Sequence, residues 1–234
     1  DWSSDVCSSD LHSIPNAIYD PGLADVRSKI ELIETLISDH ALPIQIKYGS
    51  ELRVNEHTLE RIHQKDYIPF EDTDYVLLEL TRENLHSNVV NDIIDELHYQ
   101  QKNVLIAHPE RYFIDKSDAI DHCRKWLKQG VYLQLNRTSL LKDHHPHERD
   151  IALALLNNAL VHIVATDAHS AQTKRVTRLD DVYDQVCKTH GVRYADQILK
   201  DNPERLSRNE KLLRPVLIRK GTISSLFAFL HNRT

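Results

Sequence analysis

The chain has no methionine, only five glycines and three cysteines in 234 residues, and 6% aromatic side chains. Five scattered glycines leave no glycine-rich phosphate loop: there is no G-x-G-x-x-G and no Walker sequence. The G-x-S-x-G nucleophile elbow is missing as well, which removes the serine hydrolases built on it. Cys7, Cys123 and Cys187 are odd in number and widely spaced, so they form neither a disulfide framework nor a CxxC site, and a reducing cytoplasm is expected. No apolar run approaches the roughly 18 residues of a membrane span. Net charge is −6, against a general nucleic-acid binder. The lack of methionine, with no signal-peptide pattern, leads to the expectation that the chain is not a natural full-length protein.

What is present is a globular composition, 41% apolar and 27% charged, with 15 histidines. Residues 1–11 (DWSSDVCSSDL) have no helical or strand period and double a Ser-Ser-Asp unit. They resemble translated sequencing adapter and are set aside as a non-native segment, leaving one domain over 12–234.

Five runs have the near-continuous apolar character of parallel strands buried on both faces: Leu42–Tyr48, Tyr75–Leu80, Asn103–Ala107, Val131–Leu135 and Leu160–Thr166. Helical stripes alternate with them. Val26, Ile30, Ile33 and Ile37 make one; Val90, Ile93, Ile94 and Leu97 another; Ile120, Cys123, Trp126 and Leu127 a third, stopped by Gly130. Ile151–Leu155 and Leu179–His190 mark two more, Asn202-Pro203 starts a last turn or helix, and Leu226–Leu230 suggests a C-terminal helix. Strand alternating with helix predicts βαβ units and an α/β fold around a parallel sheet.

The strand ends carry the chemistry. The first run leads into Tyr48-Gly49-Ser50-Glu51, the second ends at Glu79, and the third delivers His108-Pro109-Glu110-Arg111. The fourth ends in Gln134 and Asn136, and the fifth delivers Asp167-Ala168-His169. In a parallel barrel these ends converge on one face, where active sites sit. Carboxylates with imidazoles suit divalent Zn, Mn or Fe, which polarise phosphoryl oxygens and generate hydroxide. Arg111, three residues past His108, offers a guanidinium fork for phosphate. Singly, each residue has a plain alternative: a solvated Glu51, an Asp167 that caps a turn. Together, over five successive strands, they point to metal-assisted hydrolysis of a phosphate ester. The tract His144-His145-Pro146-His147 is read as a solvated loop, His162 as a packed core histidine, and Cys123 and Cys187 as core.

The series YGSE, YVLLEL, IAHPERY, LQLN, VATDAHS and DNPERL, in this order over about residues 12–207, resembles the polymerase-and-histidinol-phosphatase (PHP) superfamily. It is most similar to the bacterial manganese-dependent protein-tyrosine phosphatases of capsule and exopolysaccharide synthesis. The resemblance implies a distorted (β/α)7 barrel with up to three metal ions, Mn2+ with Fe, Zn or Co as alternatives. It also implies a phosphotyrosine substrate on the tail of a membrane-associated bacterial tyrosine kinase. It makes His12, Glu51, Glu79, His108, Asp167 and His169 metal ligands and Arg111 a phosphate-binding arginine. A second such arginine is matched by Arg175 after a one-residue shift, since Lys174 occupies the usual spacing. The family opens on a strand with His-x-His and an aspartate ligand soon after. This chain has neither, so about the first two strands are expected to be missing and metal binding and activity to be impaired. A PHP-type esterase acting on a small molecule such as histidinol phosphate, and a non-catalytic scaffold, are the alternatives.

Overall fold

The computed structural model describes residues 12–15, 20–142, 145–169 and 176–216. The segment 1–11, Arg175 and the expected helix at Leu226–Leu230 lie outside them. Among the described residues six strands form one sheet: β1 (His12–Ser13), β2 (Glu51–Arg53), β3 (Tyr75–Glu79), β4 (Asn103–Ala107), β5 (Tyr132–Asn136) and β6 (Ile163–Ala165). Every neighbouring pair is parallel, and the spatial order is the chain order, β1 to β6 without a reversal. Among the described residues eight α-helices accompany them: α1 (Leu23–Asp39), α2 (Thr58–His63), α3 (Asn88–Tyr99), α4 (Lys116–Lys128), α5 (Pro146–Asn157), α6 (Asp180–His190), α7 (Val192–Asp196) and α8 (Asn202–Ser207). The α/β expectation holds. None of the described helices is long and apolar enough to cross a membrane.

Strand alternation sorts the core into two. Leu52, Val76, Leu78, Val104, Ile106, Leu133, Leu135 and Val164 pack against the helices. On the opposite face Tyr75, Leu77, Leu105, Ala107, Tyr132 and Ile163 form a second cluster, closed by Leu206 and Leu212. The stripes read from the sequence seat the helices. Val90, Ile93, Ile94 and Leu97 of α3 are all buried, as are Cys123 and Trp126 of α4, while Cys187 of α6 is half-buried. Burial raises the Cys123 thiol pKa, which keeps it protonated. Gly130 ends the α4 segment with φ +88°, a conformation that costs glycine little.

Two expectations need correction. Leu42–Tyr48 is not a strand: regular pairing begins at Glu51, and Leu42 and Ile44 are exposed. Pro43 lacks a backbone donor, and side chains facing water give a ladder there little to bury. The helix read from Val26, Ile30, Ile33 and Ile37 forms as α1, with Val26 buried, Ile30 and Ile37 half-buried and Ile33 in solvent, so its periodic face is only partly covered. His147 is not in a loop; it stands in the first turn of α5, half-buried, with Nε2 3.1 Å from the Phe113 carbonyl.

His162 is the core histidine expected. Its Nδ1 accepts the Leu133 amide at 3.2 Å and its ring meets Tyr132 edge-on at 5.0 Å. Burial drives its pKa down to about 3. Unfolded, the same ring titrates near about 6.5. The unfolded chain therefore binds the extra proton, and stability present above about pH 6.5 is lost as pH falls toward 3, by on the order of 5 kcal/mol. His162→Gln, which cannot titrate but keeps an acceptor, is expected to flatten that acid limb in urea unfolding between pH 6.5 and 4. Parallel curves for variant and parent would contradict this.

Candidate metal centre

The polar site grows out of the second face of the sheet. Register pairs Glu51 with Leu77 and Arg53 with Glu79, so Glu51 lies two residues deeper along the strands than Glu79. Its entry is fixed by Gly49 and Ser50. A Cβ on Gly49 would stand 2.9 Å from the Phe70 ring, and the Ser50 hydroxyl donates to the Ile68 carbonyl at 3.1 Å. Register also pairs His12 with Glu51, which sets the two backbones side by side.

His108 reaches the site by breaking the alternation. Leu105 and Ala107 face the second cluster and Ile106 the helices, so a continued strand would turn residue 108 toward the helices. Instead His108 takes a left-handed backbone, φ +30° and ψ +57°, uncommon for a residue with a Cβ. The ring then meets Glu51, Nε2 to Oε1 2.8 Å, and comes within 3.9 Å of Glu79. Asp167, in the turn after β6, is also left-handed, φ +47°. Such conformations cost free energy and concentrate at functional sites.

Tyr112 clamps two of these strand ends. Its hydroxyl accepts the Leu80 amide at 3.0 Å and donates to the Ala107 carbonyl at 2.7 Å, and its ring lies 5.6 Å from that of His108. The phenol is pushed far above its usual pKa by burial, so it stays a donor.

Glu51, Glu79 and His108 present ligand atoms that all lie within 4.8 Å of one another. Oxygens and nitrogens sharing one ion at 2.0–2.2 Å stand up to about 4.4 Å apart, so small side-chain movements close the shell. Two carboxylates and an imidazole in a buried pocket are a donor set for a divalent cation. The electrostatics agree: burial disfavours the His108 imidazolium, but the hydrogen bond and charge of Glu51 outweigh it, and the net pKa shift is upward. A positive charge is wanted there.

The other expected residues form an adjoining group. Arg111 Nη2 lies 3.3 Å from Asp167 Oδ2, and its Nε 4.0 Å from Glu148. Burial opposes its charge, but Glu110, Asp167 and Glu148 raise its pKa overall. Asp167 also receives the Asn136 side-chain amide. His169 turns its Nδ1 to the Asp167 carbonyl, 2.9 Å, and does not join Glu51, Glu79 and His108. Two residues escaped sequence reasoning. Glu110 is completely buried, its Oε1 accepting the Asn136 backbone amide at 3.0 Å. Burial raises its pKa, partly offset by the charges of His108 and Arg111. Tyr112 was visible only as a letter in HPERY.

The geometry has relatives. The family profile "Capsular polysaccharide synthesis, CpsB/CapC" matches residues 17–208. The chain is 25% identical over 190 residues to the tyrosine-protein phosphatase CpsB of Streptococcus pneumoniae, covering 74% of this chain and 72% of that protein. It is 23% identical over 201 residues to the tyrosine-protein phosphatase YwqE of Bacillus subtilis, covering 85% and 77%. A crystal structure described among those of YwqE and CpsB, "unique metal-dependent tyrosine phosphatases", superposes with a TM-score of 0.75 at 22% identity, over 89% of this chain and 83% of that one.

Tyr112→Phe deletes both hydroxyl contacts and leaves the Leu80 amide and the Ala107 carbonyl short of a partner. A loss of about 1–3 kcal/mol in chemical unfolding is expected. Unchanged stability would mean that the clamp is not formed.

Proposed function

The chain belongs to the CpsB/CapC family of capsular polysaccharide synthesis, and on that premise we propose that it is a metal-dependent phosphatase for phosphotyrosine in proteins. The observation that carries this is the meeting of Glu51, Glu79 and His108 beside an arginine poised for an anion. The CpsB and YwqE relatives bear the name tyrosine-protein phosphatase. We assign the kinase tail of a capsule or exopolysaccharide export system as substrate, and the cytoplasm as the compartment in which Cys123 stays a free thiol. Residues 12–234 are then one domain, with 1–11 set aside as non-native. Sequential parallel strands with no reversal fit the staves of a barrel better than a doubly wound sheet, which supports a distorted (β/α)7 barrel.

Glu51, Glu79 and His108 would hold one ion, with Mn2+ as the first choice and Fe, Zn or Co as alternatives. His12, Asp167 and His169 would serve further ions. A bound ion supplies Lewis acidity and a hydroxide at neutral pH. Arg111 binds and orients the phosphoryl oxygens, with Arg175 as its partner. The Glu51 and Glu79 carboxylates set the charge of the pocket, and the buried floor keeps bulk water from the reacting face. Buried Glu110 and Tyr112 touch no substrate.

The test is an assay of the purified chain on p-nitrophenyl phosphate, a phosphotyrosine peptide and histidinol phosphate, before and after chelation. Hydrolysis is expected to be weak, to be abolished by chelation and to be restored to that weak level by Mn2+, with the peptide preferred. Arg111→Ala should lower kcat/KM about 100-fold, and Glu51→Gln should remove the response to Mn2+. Hydrolysis that survives both chelation and Glu51→Gln would overturn the proposal, and a preference for histidinol phosphate would move it to a small-molecule substrate.

A further inference from the structure

Glu110 has no exposed surface, so it cannot touch a substrate. It is also not among the three side chains whose ligand atoms converge. A buried carboxylic group is costly, and His108, Arg111, the Asn136 amide and Ser139 offset that cost only in part. What it does have is a place in a closed circuit. Glu110 Oε1 accepts the Asn136 backbone amide at 3.0 Å. The Asn136 side-chain amide donates to Asp167 Oδ2. The same Oδ2 accepts from Arg111 Nη2 at 3.3 Å. Arg111 is the next residue after Glu110, which closes the ring.

We propose that Glu110 is a positioning residue that, through Asn136 and Asp167, fixes the Arg111 guanidinium for the phosphoryl group. This deepens the phosphatase proposal and rests on it. Each member fits the role. Asn136 ends β5 with its side chain fully buried, so it is a rigid strut between the turn after β4 and the turn after β6. Arg137 grips the same region, its amide donating to the Ala165 carbonyl at 2.7 Å and its Nε to Asp181 at 3.0 Å, at the start of α6. Both ends of the segment from Asp167 to α6 are therefore tied to two consecutive residues of β5 and its exit. Arg111 keeps 28% of its side-chain surface exposed, so its far edge is open to an anion while its near edge is held. The contact needs only an acceptor oxygen at Glu110, which glutamine also carries.

The test is binding of inorganic phosphate to the Mn2+-loaded chain by titration calorimetry, with kcat and KM for p-nitrophenyl phosphate alongside. Glu110→Ala is expected to weaken phosphate binding about tenfold and to raise KM more than it lowers kcat, because a loosened guanidinium loses its alignment. Glu110→Gln should stay within about threefold of the parent, since it keeps the acceptor. Asn136→Ala retains the backbone amide that Glu110 holds and deletes only the donor to Asp167. It should reproduce the tenfold loss, and it keeps the proposal testable if Glu110→Ala fails to fold. The double variant should be no weaker than Asn136→Ala alone, because the two act in series. Losses that multiply, or Glu110→Ala binding phosphate like the parent while Arg111→Ala does not, would overturn the positioning role alone. A parent chain that takes up neither Mn2+ nor phosphate would bring down the phosphatase proposal and this one with it.

Discussion

Two carboxylates and an imidazole sharing a nearly dry pocket require a positive charge between them. Glu51 and His108 are almost wholly buried, and Glu79 stands beside them. At such burial the repulsion between carboxylates is poorly screened and each loses most of its hydration. Without a cation the charge can come from a proton, and the upward shift of His108 against Glu51 is that solution. A divalent ion satisfies the same demand more fully and releases the proton. The pocket is acidic before any ligand arrives, because the strands that carry these residues are fixed by packing elsewhere.

That packing comes from strand alternation on a sheet covered on both sides. One set of positions packs under the helices, and the other runs from an apolar floor at Tyr75, Leu77 and Leu105 up to Glu51, Glu79 and Asn136. The same period of two that buries the floor therefore delivers the polar groups to one place. His108 is the exception, and its left-handed backbone brings an imidazole to where the strand alone would have put nothing. Tyr112 holds the two strand ends on either side of that turn.

Periodicity made part of this legible in the sequence. The stripe Val90–Leu97 and the run Asn103–Ala107 appear where they were read, because each is both periodic and buried. Leu42–Tyr48 had the same composition as a strand, but apolarity in one dimension does not say that a neighbour lies alongside. The α1 stripe shows the converse: the helix forms while Ile33 stays exposed and Ile30 and Ile37 are only half-buried. In the site, Glu51, Glu79 and His108 were legible as chemistry-bearing residues at successive strand ends. That these three share one pocket, with Asp167 turned to Arg111 and His169 apart, depends on register and on two left-handed residues that no letter announces. Glu110 was the least legible, since a charged residue in a turn is usually solvated. Its burial follows only from the turn Pro109–Arg111 folding back onto Asn136.

The central claim is that Glu51, Glu79 and His108 form a cation site. Crystals of the chain soaked in Mn2+ and recorded at the manganese edge test it directly. The account predicts an anomalous peak bonded to Glu51, Glu79 and His108 Nε2 at about 2.0–2.3 Å, with the Glu51–His108 hydrogen bond replaced. Well-ordered crystals with that hydrogen bond intact and no peak among the three side chains would contradict it.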